Sequence, residues 1–476
     1  MEISLQRPQK LTLGDQLQAL QAHALRLRTD SIAHRKQKLA RLATWIERHR
    51  SDIQRAAYQD FQKPPLEVDI SEIYPVLVEI RHAIAQVDRW AKPKKVDATL
   101  TYLGTWSEIR VEPKGVCLII SPWNFPFNLC VGPLVSCLAA GNTAVVKPSE
   151  LTPHTSSLIK RMVSDLFDHQ EVVAVEGGVN ETTELLELPF DHIFFTGSPS
   201  VGKIVMTAAA KHLTSVTLEL GGKSPAIVDF TADLDDTARR ITFGKFLNNG
   251  QTCIAPDYLL VHESVADALI EKLKTQIIQQ FGDGQEITTA SASYGRVING
   301  RHFERITHLI QDAIRLGAKP VFTGPVNEPV RFVHPTILTN VSTEAQVMQE
   351  EIFGPVLPVM TYSSPNEPIE FVNGRPKPLA LYVFGSKRFR EKVVSETSAG
   401  TVCMNDCITQ FTHPNLPFGG VNFSGIGKAH GYSGFLAFSN EKPVLRARGG
   451  FNLSYLFHPP YTPRMKKLID LLLRWF

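Results

Sequence analysis

One cysteine lies in a context that is unusual for a structural thiol. Cys253 belongs to GQTCIAP (250–256), a polar, glycine-containing segment expected to form a turn between a helix and the apolar strand YLLV (258–261). A lone cysteine is more often a small buried hydrophobe, which suits those in apolar runs, Cys117, Cys130 and Cys137. The neighbours of Cys253 are instead polar, namely Asn248, Asn249 and Gln251. Cys253 is therefore a candidate nucleophile, although a thiol of ordinary pKa is mostly protonated at neutral pH and would need activation.

Two polar side chains are expected at strand ends, where α/β folds place their chemistry. Glu219 ends an apolar strand in LELGGKSP (218–225), and the two glycines after it allow a close turn. Asn124 lies in PWNFP (122–126), a loop held by two prolines directly after the strand VCLII. Each could be ordinary, a solvated carboxylate or a turn residue. Beside a nucleophile, however, a rigidly held amide such as that of Asn124 would stabilise an oxyanion.

Two further segments could contact a dinucleotide. FTGSPSVGK (195–203) follows a strand and opens a helix, with small residues at the turn, Gly197, Ser198 and Gly202. It is not the GxGxxG fingerprint, but the free N–H groups and dipole of a helix N-terminus can bind pyrophosphate. KPSE (147–150) places a cation, Lys147, and a carboxylate, Glu150, at another strand end. Such a pair could clamp ribose hydroxyls.

The elements that must position these residues alternate between strands and helices. Residues 11–62 predict two helices, with stripes of Leu17, Leu20, Ala24 and Leu27, then of Leu39, Leu42, Ile46 and Ile53. Later apolar runs are typical of buried parallel strands: 116–120, 143–147, 172–176, 192–196 and 216–220. Helices separate them, the clearest starting with Thr152 as N-cap and Pro153 at the first helical position.

This alternation predicts an α/β protein with a doubly wound sheet. A second alternating region, from residue 224 to about residue 383, predicts a second α/β domain. Residues 92–112 alternate like a hairpin, LTYL followed by WSEIRVE, and are expected to leave the main sheet.

Composition excludes several classes of function. The 476 residues are 43% hydrophobic and 20% charged, as in soluble proteins of more than one domain. A net charge of +3 argues against nucleic-acid binding. The six cysteines have no CxxC or zinc-finger spacing, so we expect reduced thiols, no metal and a cytoplasmic location. The first residues lack a signal-peptide core, and the longest apolar stretch (115–146) contains three prolines, which argues against a membrane-spanning helix.

Together with EEIFGPVLP (350–358) and LPFGG (416–420), these segments resemble the aldehyde dehydrogenase superfamily. Seven motifs occur in the family's order between residues 122 and 420. The spacing from Glu219 to Cys253 (253 − 219 = 34), the short N-terminus and the ending NDCITQFTHPNLPFGGVNFSGIGKAHG are most similar to the class 3 branch, which includes fatty aldehyde dehydrogenases. One departure is Asn422, where the family more often has glycine. We expect it to adjust that loop and to leave the chemistry unchanged.

The resemblance implies an architecture of several parts. A Rossmann-type cofactor domain would comprise residues 1–94 and 114–220, and an α/β catalytic domain residues 221–415. Residues 95–113 and 416–450 would form oligomerisation and bridging segments that include a small β hairpin, and residues 451–476 an amphipathic tail. The family is also expected to form homodimers.

The same resemblance implies roles for individual residues. Cys253 would attack the aldehyde, the Asn124 amide and the Cys253 backbone N–H would hold the oxyanion, and Glu219 would activate the water that hydrolyses the thioester. NAD is the expected cofactor, with some use of NADP. Its ribose hydroxyls would contact Lys147, Glu150 and Glu351. The pyrophosphate would face Gly197, Ser198 and Gly202, and the nicotinamide end would be bordered by Phe353 and Trp123.

Other functions and several substrates remain open. A CoA-acylating aldehyde dehydrogenase would resolve the thioester with a thiol, and retention of Glu219 argues for water instead. A zinc alcohol dehydrogenase would need paired ligand spacing that the chain lacks. A non-catalytic protein with this fold would have no reason to keep Cys253, Glu219 and Asn124 together. The substrate could be a medium- or long-chain alkanal, an aromatic aldehyde or an apocarotenal.

The C-terminal segment has the pattern of an amphipathic helix. In PRMKKLIDLLLRWF (463–476) one face carries Met465, Leu468, Ile469, Leu472 and Phe476. From residue 446 onward, Asp470 is outnumbered by the basic residues Arg446, Arg448, Arg464, Lys466, Lys467 and Arg474. The segment is too short to span a bilayer. It is expected to touch a membrane surface (464–476) or the mouth of an apolar substrate tunnel, with packing on the body or on a dimer partner as the alternative.

Overall fold

The N-terminal part is helical. The computed structural model describes residues 12–97, 99, 102, 104–282, 284–447, 455 and 457–475, with only the backbone of Trp475. Its first helices are α1 Leu13–Leu27, α2 Ile32–Arg48, α3 Arg50–Phe61, α4 Pro65–Val68 and α5 Tyr74–Trp90. The predicted apolar stripe of α1 is buried, as are the four residues of the second stripe.

The second stripe, however, belongs to two helices. Ile53 lies in α3, because the chain leaves helical geometry at His49. The His49 ring stacks on Trp45 (centroids 4.0 Å apart) and donates from Nδ1 to the Trp45 carbonyl (2.8 Å). This local hydrogen bond occupies a carbonyl at the end of α2. The predicted burial of these residues is confirmed, and the prediction of two helices in residues 11–62 is wrong, because α2 and α3 are separate helices.

The remaining helices and the strands of the described residues are as follows. The helices are α6 Asn128–Ala140, α7 Pro153–Leu166, α8 Val179–Leu186, α9 Pro199–Ala210, α10 Leu234–Phe246, α11 Ala266–Phe281, α12 Gly300–Arg315, α13 Gln346–Gln349, α14 Glu367–Asn373, α15 Lys387–Glu396, α16 Gly431–Ala437 and α17 Pro463–Trp475. The strands are β1 Lys94–Val96, β2 Thr105–Pro113, β3 Val116–Ile120, β4 Thr143–Lys147, β5 Val172–Ala174, β6 His192–Gly197, β7 Ser215–Leu220, β8 Pro225–Val228, β9 Tyr258–His262, β10 Lys319–Phe322, β11 Val326–Asn327, β12 Phe332–Val333, β13 Thr336–Thr339, β14 Val356–Tyr362, β15 Ala380–Phe384, β16 Thr401–Met404, β17 Gly425–Ile426 and β18 Ser439–Ala447.

The first sheet has the doubly wound order that the sequence predicted. Its strands run β17-β7-β6-β3-β4-β5, and all are parallel except the short β17. The chain starts at β3 in the middle, adds β4 and β5 on one side, and then returns to add β6 and β7 on the other. The boundary between β3 and β6 is thus a topological switch point, where the carboxyl ends of the strands leave a crevice.

The second sheet confirms the second α/β region. Its order is β10-β13-β14-β9-β8-β15-β16, with only β10 antiparallel. It extends past the predicted limit near residue 383, because β16 pairs with β15. Buried apolar side chains form cores associated with each sheet. Four residues (221–224) join β7 to β8, so the carboxyl end of a first-sheet strand adjoins the amino end of a second-sheet strand.

The predicted hairpin exists with a different first strand. β1 pairs antiparallel with β2, so Lys94–Val96 takes the place predicted for LTYL. Of LTYL only Tyr102 lies within the described residues. In the observed register Lys95 lies opposite Glu108, so that opposite charges face each other across the two strands. β2 also pairs with β18 along its whole length, so this three-stranded sheet is separate from the other two.

The predicted start of α7 is also confirmed, but its capping group comes from elsewhere. Thr152 is the N-cap residue and Pro153 begins the helix, yet the Thr152 side chain makes no capping hydrogen bond. Asp60 of α3 accepts the N–H groups of His154 and Thr155 instead, at 3.0 Å each. Capping by a remote carboxylate satisfies the same free N–H groups and complements the helix dipole.

Candidate active site

Cys253 lies in a loop that side chains hold by bonding to the backbone. The Gln251 Nε2 donates to the carbonyls of Arg296 (3.0 Å) and Asn248 (2.9 Å), and its Oε1 accepts the Ile298 N–H (3.0 Å). The side chain of Asn249 likewise donates to a backbone carbonyl. The polar neighbours of Cys253 therefore fix the loop, whereas the thiol itself packs against an apolar core. The expectation that they surround the thiol with polar groups was wrong.

Gly250 joins this loop to the EEIFGPVLP segment. Its φ is +74°, and a Cβ there would lie 2.3 Å from the Gly354 carbonyl oxygen. Only glycine allows both the left-handed backbone and the close approach. The two motifs, which are a hundred residues apart in sequence, are thereby packed backbone to backbone.

The Cys253 thiol is partly exposed and is not activated by its resting surroundings. Burial raises its pKa well above the ordinary value, and the nearby carboxyls of Glu351 and Glu219 raise the pKa further. The backbone N–H groups of Cys253 and Ile254 act in the opposite direction. The thiol is therefore protonated at rest and would need a base or a bound cation to become nucleophilic. Four other cysteines are buried, namely Cys407 and the three for which burial was predicted, Cys117, Cys130 and Cys137.

Glu219, at the end of β7, shares a cavity with Cys253. Only 6% of Glu219 is exposed, and neither carboxyl oxygen has a hydrogen-bond partner. Burial raises its pKa well above the ordinary value, while the ammonium of Lys428 acts weakly in the opposite direction. A Cβ on Gly419 would lie 2.9 Å from Glu219 Oε1, so that glycine leaves room for the carboxyl. A carboxyl with a raised pKa and no partner suits proton transfer.

Asn124 is held against the Cys253 loop. It is 2% exposed, and its Nδ2 donates to the Gln251 carbonyl (3.0 Å). Its own backbone carbonyl accepts from Asn248 Nδ2 (2.8 Å) and Lys63 Nζ (3.3 Å). An amide nitrogen carries two hydrogens, and this bond uses one of them. The other hydrogen is not used by this bond, and Asn124 itself lies behind the Cys253 loop and does not line the two cavities that Cys253 lines.

A buried ion pair that the sequence did not reveal supports Asn124. Lys63 Nζ lies 2.7 Å from Glu72 Oε1, and the two side chains are 0% and 1% exposed. Glu72 Oε2 also accepts the N–H of Asn128 (2.9 Å), and Glu67 accepts that of Asn248 (2.9 Å). These residues come from the α3–α5 region, about 60 residues before Asn124 in sequence. No local pattern marks them, because only tertiary packing brings them to the loop.

The cofactor candidates at the first sheet lie at the ends of β4 and β6, the two strands that flank β3. Lys147 ends β4 and is 2% exposed; its Nζ donates to the Pro148 carbonyl (2.9 Å) and lies 3.5 Å from a carboxylate oxygen of Glu150. The Glu150 side chain is 46% exposed. Gly197 ends β6, and Ser198 caps α9 by accepting the Val201 N–H (3.4 Å).

Gly202 serves packing. A Cβ on Gly202 would lie 2.7 Å from a methyl carbon of Leu220, so a side chain there would point into the core. The absence of a side chain at Gly202 allows α9 to approach β7 closely, and its contact with a pyrophosphate stays a prediction. Gly197 and Ser198 keep the positions at the strand end and helix start that the sequence predicted.

Glu351 lies beside the glycines that follow Glu219. It accepts the Gly222 N–H, and a Cβ on Gly221 would lie 2.0 Å from its Oε2. Burial and the charge of Asp257 raise its pKa to about 8. Asp257 Oδ1 accepts the N–H of Ile352 (3.0 Å), and Arg305 donates to the Glu351 carbonyl (3.2 Å). Asp257 and Arg305, which the sequence did not single out, thus fix the backbone that carries Glu351.

Trp123 and Phe353 form an aromatic group. Their ring centroids are 5.3 Å apart at 79°, and the Trp123 ring also contacts His302 (5.0 Å). Phe353 has a φ of +47°, a conformation that costs free energy for a large side chain. The structure therefore brings together two residues 230 positions apart that the sequence had assigned to one end of the cofactor.

The cavities near Cys253 differ in character. Two connected apolar cavities share Leu129, Phe411 and Cys253, and one of them also reaches Glu219. A separate cleft is polar and is lined by Ser200, Glu351 and a group of cations, Lys223, Arg375 and Lys377. Among the described residues, no group of three or more metal-ligating side chains was found. Within the same part of the chain, no helix is both long and apolar enough to cross a membrane.

Comparison with known proteins identifies the family. Residues 15–444 match the aldehyde dehydrogenase family. The chain is 44% identical to 4,4'-diaponeurosporen-aldehyde dehydrogenase of Staphylococcus aureus, covering 92% of this chain and 94% of that protein. It is 43% identical to aldehyde dehydrogenase family 3 member A2 of Rattus norvegicus, covering 91% and 88%. A solved structure of the substrate-bound state of Staphylococcus aureus AldH has a TM-score of 0.92 at 42% identity, covering 97% of this chain and 100% of that one. The chain belongs to the aldehyde dehydrogenase family and is an enzyme that oxidises aldehydes.

Proposed function

We propose that this enzyme oxidises an apolar aldehyde to its carboxylic acid through a thioester on Cys253 that water hydrolyses. The observation that carries the proposal is the cavity shared by Cys253 and Glu219, in which the Glu219 carboxyl has no hydrogen-bond partner. A free carboxyl in the cavity of a thiol suits the activation of a water that attacks a group bound to that thiol. A CoA-acylating enzyme would not need this base.

In the proposed reaction, the Cys253 thiol first loses its proton to cavity water, with the thiolate favoured by the positive charge of a bound cofactor, and the sulfur then attacks the aldehyde carbon. The second hydrogen of the Asn124 amide and the Cys253 N–H stabilise the oxyanion. Loss of hydride converts this adduct to a thioester. Glu219 then takes a proton from water as the water oxygen bonds to the thioester carbon, and the C–S bond breaks to return Cys253. The general base, near the end of the first-sheet strand β7, and the nucleophile, in the loop before the second-sheet strand β9, thus line the same cavity.

NAD is the proposed cofactor, with some use of NADP, and it would supply the hydride acceptor when bound. The donor set fits a dinucleotide: Lys147 and Glu150 would hold ribose hydroxyls, and Gly197 and Ser198 at the start of α9 would face the pyrophosphate. The nicotinamide end would be bordered by Glu351, Phe353 and Trp123. The cations Lys223, Arg375 and Lys377 of the polar cleft add positive charge that favours phosphate.

An apolar substrate is supported by the cavity lining. Phe125, Leu129, Phe243, Ile254 and Phe411 surround the approach to Cys253. Such a lining removes alkyl or polyene carbon from water, and the described side chains that line this cavity include no charged group to pair with a charged substrate. The Staphylococcus aureus relative is named for an apolar aldehyde, which agrees with this choice.

The test is a product assay on the full chain with hexanal and with a long-chain aldehyde. We expect NADH and free acid without CoA, and higher kcat/KM for the longer aldehyde. Cys253→Ala should abolish turnover in a folded protein. The matched control is Cys403→Ala, because Cys403 is also partly exposed but does not line the cavity. Turnover by the Cys253 variant, or acyl-CoA as the product, would contradict the proposal.

We further propose that the enzyme is a cytoplasmic homodimer. Three apolar residues of α9, Val201, Ile204 and Met206, are 41%, 61% and 48% exposed, and a second copy could cover them. Light scattering of the full chain should give the dimer mass. The monomer mass at micromolar concentration would contradict it.

The C-terminal helix is proposed to contact a membrane surface or the mouth of the substrate tunnel. In α17 the predicted apolar residues Met465, Leu468, Ile469 and Leu472 are half-buried, while Leu471 and Leu473 are exposed. Phe476 and Arg448, which the sequence assigned to this segment, lie outside the described residues. Truncation after Pro459 should reduce sedimentation with anionic liposomes and lower activity on long aldehydes more than on short ones. Unchanged binding and chain-length profile would leave only a packing role.

A further inference from the structure

A second carboxyl lines the cavity of Cys253 and Glu219. Glu79 lies on α5, and its side chain borders the same space. The titratable groups that line this cavity in the described residues are Glu79, Glu219, Cys253 and His430. Much of the remaining lining is apolar, for example Phe194, Leu220 and Leu379. A proton taken up by Glu219 therefore has few groups to which it can pass.

The local contact of Glu79 leaves its carboxyl able to change protonation state. Its Oε1 accepts the Gly431 N–H at the start of α16 (2.7 Å), and no cation within the described part of the chain forms an ion pair with it. Burial raises the pKa of Glu79 to about 7, against the effect of that hydrogen bond. A carboxyl that titrates near neutral pH can both accept and release a proton under working conditions.

The face of α5 that carries Glu79 continues from the cavity toward a second cleft. His82 lies one helical turn after Glu79 and lines this second cleft, which also includes Arg89, Lys92 and Lys94. His430 lines both the inner cavity and this outer cleft. The His82 ring comes within 3.5 Å of the position of a Cβ on Gly431, whose N–H bonds to Glu79. Glu79 and His82 thus stand on the two sides of a thin boundary between cavity and cleft.

We propose that Glu79 accepts the proton that Glu219 gains in each hydrolysis and passes it to His82 and the solvent of the outer cleft. This inference rests on the proposed function. The transfer is balanced: the proton leaves the Glu219 carboxylic acid, crosses cavity water to the Glu79 carboxylate, and leaves by His82, so that both carboxylates are restored. No electrons move. Burial lowers the pKa of His430 to about 4, so that ring stays neutral and the route does not require it to carry charge.

The competing explanation is structural, since the Glu79 carboxyl also caps α16. Glu79→Gln separates the two, because the amide oxygen still accepts the Gly431 N–H but the side chain no longer carries a proton. A matched control is Asp60→Asn, since Asp60 also is a buried carboxyl that accepts backbone N–H groups at a helix start. Asp60 does not line the cavity.

The experiment follows NADH formation by the full chain with hexanal and NAD from pH 6 to pH 9. For Glu79→Gln we expect a kcat lower by about 10-fold or more, little change in KM, a retained first-turnover burst, and recovery of kcat on adding formate as a small proton carrier. The Asp60→Asn control should keep the wild-type kcat although it melts at a lower temperature, because Asp60 accepts N–H groups with both oxygens and asparagine has one acceptor. Glu79→Gln should melt close to the wild type, because only one oxygen of Glu79 accepts a backbone N–H.

Three results would overturn the inference: a Glu79→Gln enzyme with the wild-type kcat and pH profile, loss of the burst, or a deficit that formate does not repair. If Glu79→Gln does not fold, His82→Gln serves in its place, and an unchanged kcat for that variant would also overturn the route. Steady NADH formation by Cys253→Ala, or acyl-CoA as the product, would instead refute the proposed function itself.

Discussion

The apolar cavity and the polar cleft of this enzyme give two carboxyl groups, Glu219 and Glu351, different surroundings. Glu219 lines the apolar cavity, and neither of its carboxyl oxygens has a hydrogen-bond partner. Glu351 lines the polar cleft, where it accepts the Gly222 N–H, and the charges of Lys223 and Arg305 only partly oppose the burial and the Asp257 charge that raise its pKa to about 8. The two carboxyl groups therefore differ in their hydrogen-bond partners and in the charges near them, and we expect them to have different functions. The one without partners can exchange protons, and the one with partners can hold hydroxyl groups.

The variant with the largest expected effect on this difference between the two carboxyls is Glu219→Gln. The variant should lose about 10³-fold in kcat, because hydrolysis of the thioester then lacks its base. Formation of the thioester does not need that base in the proposed scheme, so NADH should still appear as a burst before the slow phase. Stopped-flow absorbance measures both phases. Glu351→Gln is the comparison, and the same burst-and-stall behaviour in that variant would abolish the distinction between the two carboxyls.

The pH dependence should follow the same assignment. Because burial raises the pKa of Glu219, the carboxylate needed as base forms only as pH rises, and kcat should increase with pH on the acidic limb. Glu219→Gln should remove this limb from the slow phase. A limb that persists in the variant would assign the titration to another group.

Asn124→Ala should have the next largest effect, a decrease in kcat of about 10²-fold to 10³-fold, since one oxyanion donor is lost. The amide also bonds to the Gln251 carbonyl, so the loop could shift. Asn248→Ala is the control, because it removes a neighbouring loop hydrogen bond without removing the oxyanion donor. Single-turnover rates distinguish them. Equal losses in both variants would mean that Asn124 acts only through loop structure.

On the apolar side, Leu129→Asn should lower kcat/KM for a long-chain aldehyde by about 10-fold to 100-fold, because an unpaired amide is placed in the substrate cavity. Acetaldehyde, which leaves most of the cavity to water, should be affected less. Leu25→Asn on the exposed face of α1 is the control and should change neither value. Chain-length profiles provide the measurement. A uniform loss for all aldehydes would remove Leu129 from substrate selection.

On the polar side, Glu150→Gln should raise the ratio of NADP to NAD kcat/KM by about five-fold, the effect of roughly 1 kcal/mol of charge repulsion at an exposed site. Lys147 lies 3.5 Å from Glu150 and already offsets part of that repulsion, which keeps the change small. Glu176→Gln, an exposed carboxylate paired with Lys160, is the control. An unchanged ratio would show that Glu150 does not face the ribose.

The sequence predicted the framework of this site well because short-range rules govern it. Buried parallel strands need continuous apolar runs, so β3 and β4 were located to the residue. The chemistry of α/β folds lies at the ends of such strands, which is why Glu219 and Asn124 could be chosen from the sequence alone. Helix boundaries were less certain, since the break at His49 depends on a ring stacked on Trp45 and not on proline or glycine.

The supporting residues could not be predicted in the same way. Lys63 and Glu72 read as ordinary charged residues of a helical region, yet both are buried behind Asn124. Asp257 and Arg305 hold Glu351 from 94 and 46 residues away in sequence, respectively. The packing of Gly202 on Leu220 was likewise not predictable, because it depends on how α9 lies on β7. Such roles depend on partners that only the folded chain brings together.

The smallest expected effect concerns Asn422, at the rim of the polar cleft. Its φ is +56°, which explains why glycine is common here in the family, and its Oδ1 accepts from Lys377 Nζ (3.1 Å). Asparagine tolerates this left-handed conformation, so Asn422→Gly should leave kcat/KM for NAD within about two-fold of the wild type. Asn422→Ala should instead lower the free energy of unfolding by about 1 kcal/mol, because alanine is strained there and loses the Lys377 contact. Urea unfolding and NAD kinetics of both variants test this, with Asn340→Gly as the control at a second left-handed asparagine. A large change in NAD kinetics for Asn422→Gly would show that this loop, and through it Lys377, takes part in binding the cofactor and does more than border the cleft.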